Sequence, residues 1–94
     1  MSEDEYLLRF LRNGKAGIRS SYELASCMGV GQKTIGFKVS SLRKKGYLIG
    51  SVHGEGYYFI SSQDELDETV AHIERRKAGI DRTISALNGA WSEL

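Results

Sequence analysis

The sequence lacks most marks of a secreted or membrane-spanning protein, since it has one cysteine and no long apolar run. Because Cys27 has no second cysteine, an internal disulfide and a multi-thiol metal site are excluded. We therefore expect Cys27 to be a small buried apolar residue. No run of about 18 apolar residues occurs, nor a basic start followed by an apolar stretch, so neither a membrane span nor a signal peptide is expected. These absences predict a cytoplasmic protein.

Patterns typical of catalytic and metal-binding sites are missing as well. The 94 residues correspond to one small domain, since domains usually contain about 100 to 200 residues, and a large enzyme with a deep cleft is not expected. No constellation of serine, histidine and aspartate and no carboxylate pair suggests catalysis. His72 lies on a polar helical face without a partner at metal-ligand spacing. The sequence predicts a protein that is not an enzyme and has no metal or cofactor.

The net charge of +1 conceals an uneven distribution of charge along the chain. Residues 9–53 carry a net charge of +8, from nine basic side chains and the single acid Glu23. Residues 1–8 carry −3 from three acids, and residues 54–94 carry −4 from eight acids and four bases. The nine basic residues are Arg9, Arg12, Lys15, Arg19, Lys33, Lys38, Arg43, Lys44 and Lys45. Such asymmetry predicts a polyanionic partner for the basic segment and a separate role for the tail.

Capping and apolar spacing predict two short helices in the first third of the chain. The first is expected at about residues 3–13, and the second ends at Gly29, because glycine adopts positive φ without steric cost. Between these helices, Ile18 is predicted to form a strand of a single residue. Three serines have the spacing of a capping box and mark helix starts: Ser2 with Glu5, Ser20 with Glu23, and Ser62 with Glu65.

A third helix is predicted at about residues 32–45, directly before a hairpin. Only residues 28–31 separate it from the second helix, which is helix-turn-helix spacing. The following segment 46–60, GYLIGSVHGEGYYFI, predicts two short apolar strands closed by a glycine-flanked turn. An ordinary pair of packed helices has the same spacing, and the hairpin favours the helix-turn-helix interpretation. The inner face of the third helix is expected to carry Ile35, Val39 and Leu42.

Two segments carry a resemblance to a known family. The third helix ends in LRKKGY (residues 42–47), and the hairpin turn follows as GEGY (residues 54–57). Matching residues elsewhere are Leu7, Leu8, Leu11, Asn13, Gly14, the run Tyr22 to Ala25, Met28 to Val30, Lys33 to Ile35, and Val39. Residues 5–61 thereby resemble the winged helix-turn-helix domain found at the amino terminus of the bifunctional biotin ligase repressors and in related bacterial regulators. The ligase domain is absent, so the resemblance implies DNA binding and nothing about biotin.

The resemblance implies that the third helix enters the major groove while the hairpin reaches the neighbouring backbone or minor groove. Gln32 would contact adenine or a phosphate, and Lys33 would contact guanine or a phosphate. Phe37 has two interpretations, a partly buried aromatic beside the hairpin and a contact with a thymine methyl group. The predicted DNA-contacting residues are Arg19, Ser20, Ser21, Gln32, Lys33, Thr34, Phe37, Lys38, Arg43, Lys44, Lys45 and His53.

The tail is predicted to be a long amphipathic helix. Its apolar residues recur at alternating steps of four and three, which is a heptad pattern. The resulting seam comprises Leu66, Val70, Ile73, Lys77, Ile80, Ile84, Leu87, Trp91 and Leu94. One interpretation is a dimerising coiled coil. The other is a single helix that folds back on its own domain and is broken at Gly79.

Together these patterns predict an α+β fold: a winged helix-turn-helix (three helices plus a β-hairpin wing) at residues 1–61, then a long C-terminal amphipathic helix at residues 62–94. The predicted function is sequence-specific binding of double-stranded DNA by a small homodimeric transcriptional regulator of prokaryotic or phage type. No small-molecule ligand is expected. The alternative is a winged-helix protein-interaction module without DNA binding. Glu55 at the hairpin turn favours that alternative, as does Gly36, which leaves no side chain where related domains read a base.

Overall fold

The computed structural model of this protein describes residues 2 to 93. Within that range the chain forms four α-helices and a two-stranded antiparallel hairpin, so the predicted α+β class is confirmed. The elements are α1 (Glu3–Phe10), a 3-10 turn (Lys15–Gly17), α2 (Ser21–Met28), α3 (Gln32–Lys44), β1 (Ile49–Val52), β2 (Gly56–Phe59) and α4 (Gln63–Ser92). None of the helices in residues 2 to 93 has the length and apolar character needed to cross a membrane. Leu94, the predicted end of the heptad seam, lies outside the described residues.

Three helices begin at a serine whose side chain caps them, as the capping-box spacing predicts. Each Oγ atom accepts a hydrogen bond from the backbone N–H three residues later, at 3.2 Å for Ser2, 3.0 Å for Ser20 and 3.2 Å for Ser62. Such a cap satisfies one free N–H group of the first turn and contributes about 1 kcal/mol. The local sequence therefore determines where α1, α2 and α4 start.

Helix α1 ends at Phe10, short of its predicted end near residue 13, because the segment that follows pairs with β2. Leu11 already has an extended backbone. The N–H of Phe59 donates to the carbonyl of Arg12 at 2.8 Å, and the N–H of Gly14 donates to the carbonyl of Phe59 at 2.7 Å. A long-range backbone contact thus overrides the helical periodicity.

The single-residue strand lies at Arg19, so its prediction at Ile18 is wrong by one residue. Arg19 and Tyr57 exchange two backbone hydrogen bonds, of 3.0 and 2.8 Å. The N–H of Ile18 instead closes the 3-10 turn on the carbonyl of Lys15 at 3.2 Å, and it is therefore not available to the hairpin. Gly56 permits the close approach of Arg19, because a Cβ atom at Gly56 would overlap the Arg19 carbonyl.

The hydrophobic core lies between the three short helices and the hairpin. Its fully buried side chains are Leu7, Leu24, Ile35, Val39, Leu42 and Ile49. The predicted inner face of α3 is confirmed, since Ile35, Val39 and Leu42 are each at most 1% exposed. Burial of this face holds α3 in place and turns its opposite face outward.

Cys27 is exposed, so its predicted burial is wrong. The core face of α2 is formed by Leu24 and Ala25, which are buried, and by the half-buried Met28. At 100° per residue, Cys27 lies about 100° around the helix from the middle of that face. The short helix has no second apolar side, and Cys27 consequently points away from the core.

Helix α4 packs on the hairpin through its first turns and then leaves the domain. Thr69 is 3% exposed, and its Oγ1 accepts a hydrogen bond from the N–H of Ser51 at 3.3 Å. From Ile73 to Glu93 every residue except Gly79 is exposed, and the helix is continuous through Gly79. The interpretation of a tail that breaks at Gly79 and folds back on its own domain is therefore wrong for this part of α4.

Glu65 joins the start of α4 to the loop before α2. One carboxylate oxygen accepts a hydrogen bond from the N–H of Lys15, and the other accepts one from the N–H of Ser61, both at 2.8 Å. These two N–H donors, Lys15 first, hold the pKa of Glu65 below its ordinary value. The charged carboxylate thus stabilises the folded position of α4.

Replacing Glu65 with glutamine is expected to lower the melting temperature at neutral pH and to have less effect in acid. A carboxyl whose pKa is depressed on folding stabilises the protein above its unfolded pKa, about 4.3, and that contribution is lost as the pH falls through the folded pKa. Thermal melts of the wild type and Glu65→Gln should therefore converge as the pH falls from about 4.3 through the lower, folded pKa of Glu65. Glu74→Gln, an exposed position on the same helix, is the control. Equal destabilisation by both variants would contradict the assigned role of Glu65.

Candidate nucleic-acid interface

Helices α2 and α3 are joined by the three residues Gly29 to Gly31. Gly29 has a left-handed backbone (φ 68°, ψ 33°), as predicted from its position after α2. The N–H groups of Gly29 and Val30 both donate to the carbonyl of Ala25, which closes the end of α2. Ala25 is only 5% exposed, and its small side chain allows the two helices to meet closely there.

The outer face of α3 is exposed along its whole length. Exposed side chains follow one another at spacings of four, three and four residues: Lys33, Phe37, Ser40 and Lys44. Residues spaced in this way share one side of a helix. We call these four residues the α3 stripe. No part of the chain between residues 2 and 93 covers it, so two cations, a hydroxyl and an aromatic ring face the solvent together.

Phe37 is 75% exposed, so its interpretation as a partly buried aromatic beside the hairpin is wrong. The core-facing side of α3 centres on Ile35, Val39 and Leu42, and Phe37 lies about 160° around the helix from it. The neighbouring Gly36 is half-buried, and a Cβ atom there would lie 4.0 Å from the hydroxyl of Tyr57. A hairpin side chain therefore borders the outer face of α3 at the position where this helix lacks a side chain.

Two predicted DNA-contacting lysines, Lys38 on α3 and Lys45 directly after it, pair with the acidic start of α1. The ammonium of Lys38 lies 3.3 Å from Asp4 and 3.9 Å from Glu3, and the ammonium of Lys45 lies 3.6 Å from Asp4. The side chain of Lys38 is only 19% exposed. Acids of α1 thereby offset the positive charge on this side of α3, whereas Lys33 and Lys44 lie on the outer side.

Arg43 connects α3 to the hairpin. Its Nε donates to the carbonyl of Ile49 at 2.9 Å, and its Nη2 donates to Oγ of Ser51 at 3.0 Å. Burial lowers the pKa of the guanidinium, which nevertheless remains charged at any ordinary pH. Together with Thr69, Arg43 satisfies backbone groups of β1, so this predicted DNA-contacting residue also holds the hairpin against α3.

The predicted DNA-contacting residues at the start of α2 lie beside β2. Arg19 is bridged to the hairpin by its backbone, and Ser20 uses its Oγ to cap α2. Oγ of Ser21 lies 3.5 Å from Oε1 of Gln32, a long contact that connects the starts of α2 and α3. Thr34, in the first turn of α3, is half-buried. The structure thus brings the starts of both helices close together.

The hairpin turn places His53 near a residue for which no role was predicted. His53 and Glu55 are both exposed, and the ring of His53 lies 5.6 Å from the ring of His72 on α4. The sequence pattern contains no signal for this contact, because 19 residues and a change of element separate the two histidines. Within residues 2 to 93, no three side chains of the histidine, cysteine, aspartate and glutamate types form a metal site.

The predicted dimerisation seam divides into two parts. Leu66 is half-buried near the hairpin, while Val70 and Ile73 are 42% and 41% exposed. Beyond them, Lys77 is exposed, and the remaining seam residues expose 52 to 77% of their surface: Ile80, Ile84, Leu87 and Trp91. Beyond Lys77, a row of exposed apolar side chains from Ile80 to Trp91 therefore extends along the part of α4 that leaves the domain.

Comparison with known proteins identifies no relative of this chain. No family model matches it, and no curated protein and no solved structure matches it either. The features that bear on its function are therefore the α3 stripe, the hairpin and α4.

Proposed function

We propose that this protein is a winged helix-turn-helix protein that binds double-stranded DNA and acts as a dimeric transcriptional regulator. In this proposal α2 and α3 are the helix-turn-helix, and the hairpin, extended by Arg19, is the wing. The observation that carries the proposal is the uncovered α3 stripe, which combines cations, a hydroxyl and an aromatic ring beside the hairpin. The resemblance of residues 5–61 to the amino-terminal domain of biotin ligase repressors supports the same assignment.

The α3 stripe suits the major groove, which is wide enough to admit an α-helix. Gln32 and Lys33 lie at the start of α3, the end that a recognition helix directs toward base edges. Lysine binds guanine and glutamine binds adenine through hydrogen-bonding groups in this groove. Phe37, one turn further along, offers its exposed ring to a thymine methyl group. The bordering Tyr57 hydroxyl adds a hydrogen-bonding group from the hairpin.

Charge on the basic segment supports a DNA partner. Of its nine basic side chains, Lys15, Lys38 and Lys45 form ion pairs within residues 2 to 93, and the other six have no acidic partner there. Contacts from basic side chains to phosphate supply most of the sequence-independent affinity of a DNA-binding protein. Ser20 and Ser21 add the start of α2, where free N–H groups favour an anion.

Substitutions on α3 should separate base recognition from phosphate contact. Lys44→Ala is expected to weaken binding to all duplexes alike and to lower the salt slope by about one. Gln32→Ala or Lys33→Ala should instead cost about 1 to 3 kcal/mol, chiefly on a preferred sequence chosen from a random pool. Fluorescence anisotropy on preferred and scrambled duplexes measures both effects. If all three variants lose the same affinity on both duplexes, base recognition lies elsewhere.

Dimerisation through α4 completes the proposal. Beside Gly79, which has no side chain, Ile80 and Ile84 border an open depression on the surface of α4 that can receive a side chain of a second helix. The α4 helix of a second copy can pack against the exposed apolar residues of the seam, because their heptad spacing continues along the exposed part of α4. In a parallel pair, Arg76 of one copy faces Asp81 of the other, a favourable contact. A two-fold dimer of this kind would bind an inverted repeat with half-sites about one helical turn apart.

Ile84→Asp is expected to make the protein monomeric, since the substitution buries a carboxylate in the proposed seam. Ser85→Asp adds the same charge one residue later, outside the seam, and should leave the dimer intact. Lys77→Ile should tighten association or raise its order, because it removes the charged seam residue. Sedimentation velocity at micromolar concentrations distinguishes these states. A monomeric wild type would refute dimerisation and leave DNA binding as a separate question.

One observation favours a protein-interaction module as the second candidate. Phe37 and Tyr22 are 75% and 67% exposed, and large exposed aromatics are typical of protein interfaces. The acidic Glu55 at the hairpin turn also opposes contact with phosphate. This candidate predicts no measurable DNA binding even at low salt, which separates it from the first.

A further inference from the structure

An open hollow of about 360 Å³ lies where the hairpin turn meets α4. Three separate segments of the chain contribute to it: the 3-10 turn, the hairpin and α4. Its polar lining residues are Lys15, Ser51, His53, Glu68, His72 and Arg75. The α3 stripe contributes nothing to this lining. The hollow is therefore a separate feature of the fold from the proposed base-reading face.

The lining is rich in hydrogen-bond donors and carries more positive than negative charge. Lys15 and Arg75 are charged, and both imidazoles can donate an N–H. Glu68 is the one acid among the lining residues. Its carboxylate lies 3.0 Å from the ammonium of Lys15, and both side chains remain about half exposed. Lys15 thus keeps further N–H donors for a second acceptor, and Arg75 has no acidic partner within residues 2 to 93.

We propose that this hollow is a binding site for a phosphate group, held by Arg75, Lys15 and the histidine pair. A phosphate oxygen accepts charge-assisted hydrogen bonds, which are shorter and about twice as strong as neutral ones. The fork of an arginine guanidinium matches phosphate geometry, and a lysine adds a point charge. A divalent cation suits the site less, since the basic side chains would repel it.

The electrostatics of His72 agree with this site. Burial lowers the pKa of His72, and the nearby His53, Arg75, Arg76 and Arg43 lower it further. Glu68, one turn before His72 on α4, is engaged by Lys15, while Glu55 lies at the exposed turn. A phosphate in the hollow supplies the missing negative charge and should raise the pKa of His72. Binding is therefore coupled to proton uptake by this imidazole.

The test is a titration of the full chain with inorganic phosphate, at ionic strength held constant with chloride. The imidazole NMR signals of His53 and His72 should shift to saturation, and the pKa of His72 should rise. Arg75→Gln should bind phosphate about tenfold more weakly, as expected for the loss of charge-assisted hydrogen bonds. Arg82→Gln, two helical turns along the same side of α4, is the matched control and should bind like the wild type. Far-UV circular dichroism confirms that both variants are folded.

The proposed site would be refuted if the imidazole NMR shifts increased linearly with phosphate concentration and did not saturate. It would also be refuted if the shifts were equal in Arg75→Gln and the wild type. Saturation by Zn²⁺ without saturation by phosphate would also overturn it, since the pair would then be a metal site. Duplex DNA distinguishes the two sources of the phosphate group. A loss of duplex affinity in Arg75→Gln but not in Arg82→Gln points to a DNA phosphate, and equal duplex affinities point to a small phosphorylated compound. The inorganic phosphate titration uses no DNA, so its failure is separate from failure of the proposed function.

Discussion

Raising the salt concentration from about 50 to about 200 mM is expected to weaken binding to duplex DNA about a thousandfold. Each phosphate neutralised by a basic side chain releases a condensed counterion, and the affinity falls with a slope of about 0.9 per phosphate on logarithmic axes. Six basic side chains of residues 9–53 have no acidic partner within residues 2 to 93, and one of these six, Arg43, also hydrogen-bonds to the hairpin. If about six phosphates are neutralised, the slope is near −5.

Fluorescence anisotropy on a random-sequence duplex at graded salt measures this slope. Lys33→Ala and Lys44→Ala remove cations of the α3 stripe, and a cation that contacts phosphate lowers the slope by about one when it is removed. Glu93→Gln is a control for a general change in net charge, since this exposed acid directly follows α4 and lies outside the proposed seam. It should leave the slope unchanged. Failure to bind duplex DNA at the lowest salt would end the DNA proposal and favour the protein-interaction module.

Gly56→Ala is expected to destabilise the fold by about 3 to 5 kcal/mol. The backbone of Gly56 has φ 134°, which strains any other residue, and strain of this kind costs about 1 to 3 kcal/mol. In addition, the new Cβ atom would overlap the carbonyl oxygen and carbonyl carbon of Arg19. Both are backbone atoms and cannot rotate away. Relief therefore requires separation of Arg19 from Tyr57, with the loss of two hydrogen bonds worth about 1 kcal/mol each.

Gly54→Ala in the same hairpin is the matched control. Gly54 also has a positive φ, 78°, but nothing lies within 4 Å of its added Cβ atom. Its cost is therefore the left-handed backbone alone, about 1 kcal/mol. Urea unfolding compares the two variants through their free energies of unfolding. Equal losses would mean that the contact between Gly56 and Arg19 does not stabilise the protein. If Gly56→Ala loses more stability than Gly54→Ala, it should also bind DNA more weakly, because the hairpin would no longer be held beside the start of α2.

Helix starts and the core face of α3 were predictable from local sequence. Ser2, Ser20 and Ser62 cap the backbone N–H three residues later, an interaction that needs no other part of the chain. The spacing of apolar residues in α3 likewise specifies one side of the helix, and the core occupies that side. By contrast, the buried position expected for Cys27 was wrong, because residue type alone does not state which side of a short helix faces inward.

The helices and the hairpin that form the candidate interface were predictable from the sequence. The ion pairs and hydrogen bonds of its individual side chains were not. Basic character along residues 9–53 follows from composition, yet the pairing of Lys38 and Lys45 with Asp4 depends on how α1 packs against α3. Arg43 is committed to the hairpin for the same reason. Which charges remain available for a partner is consequently a property of the fold.

The order of the elements, the serine caps and the heptad spacing of α4 were predictable from the sequence, because they depend on interactions within a few residues. Three contacts depend instead on the packing of distant segments: Arg19 pairs with Tyr57, Thr69 accepts a hydrogen bond from Ser51 of β1, and the ring of His53 lies near that of His72. These contacts join residues more than 15 positions apart. Their geometry follows from the packing of whole helices and strands around a shared core, and periodicity along one segment carries no information about its partner.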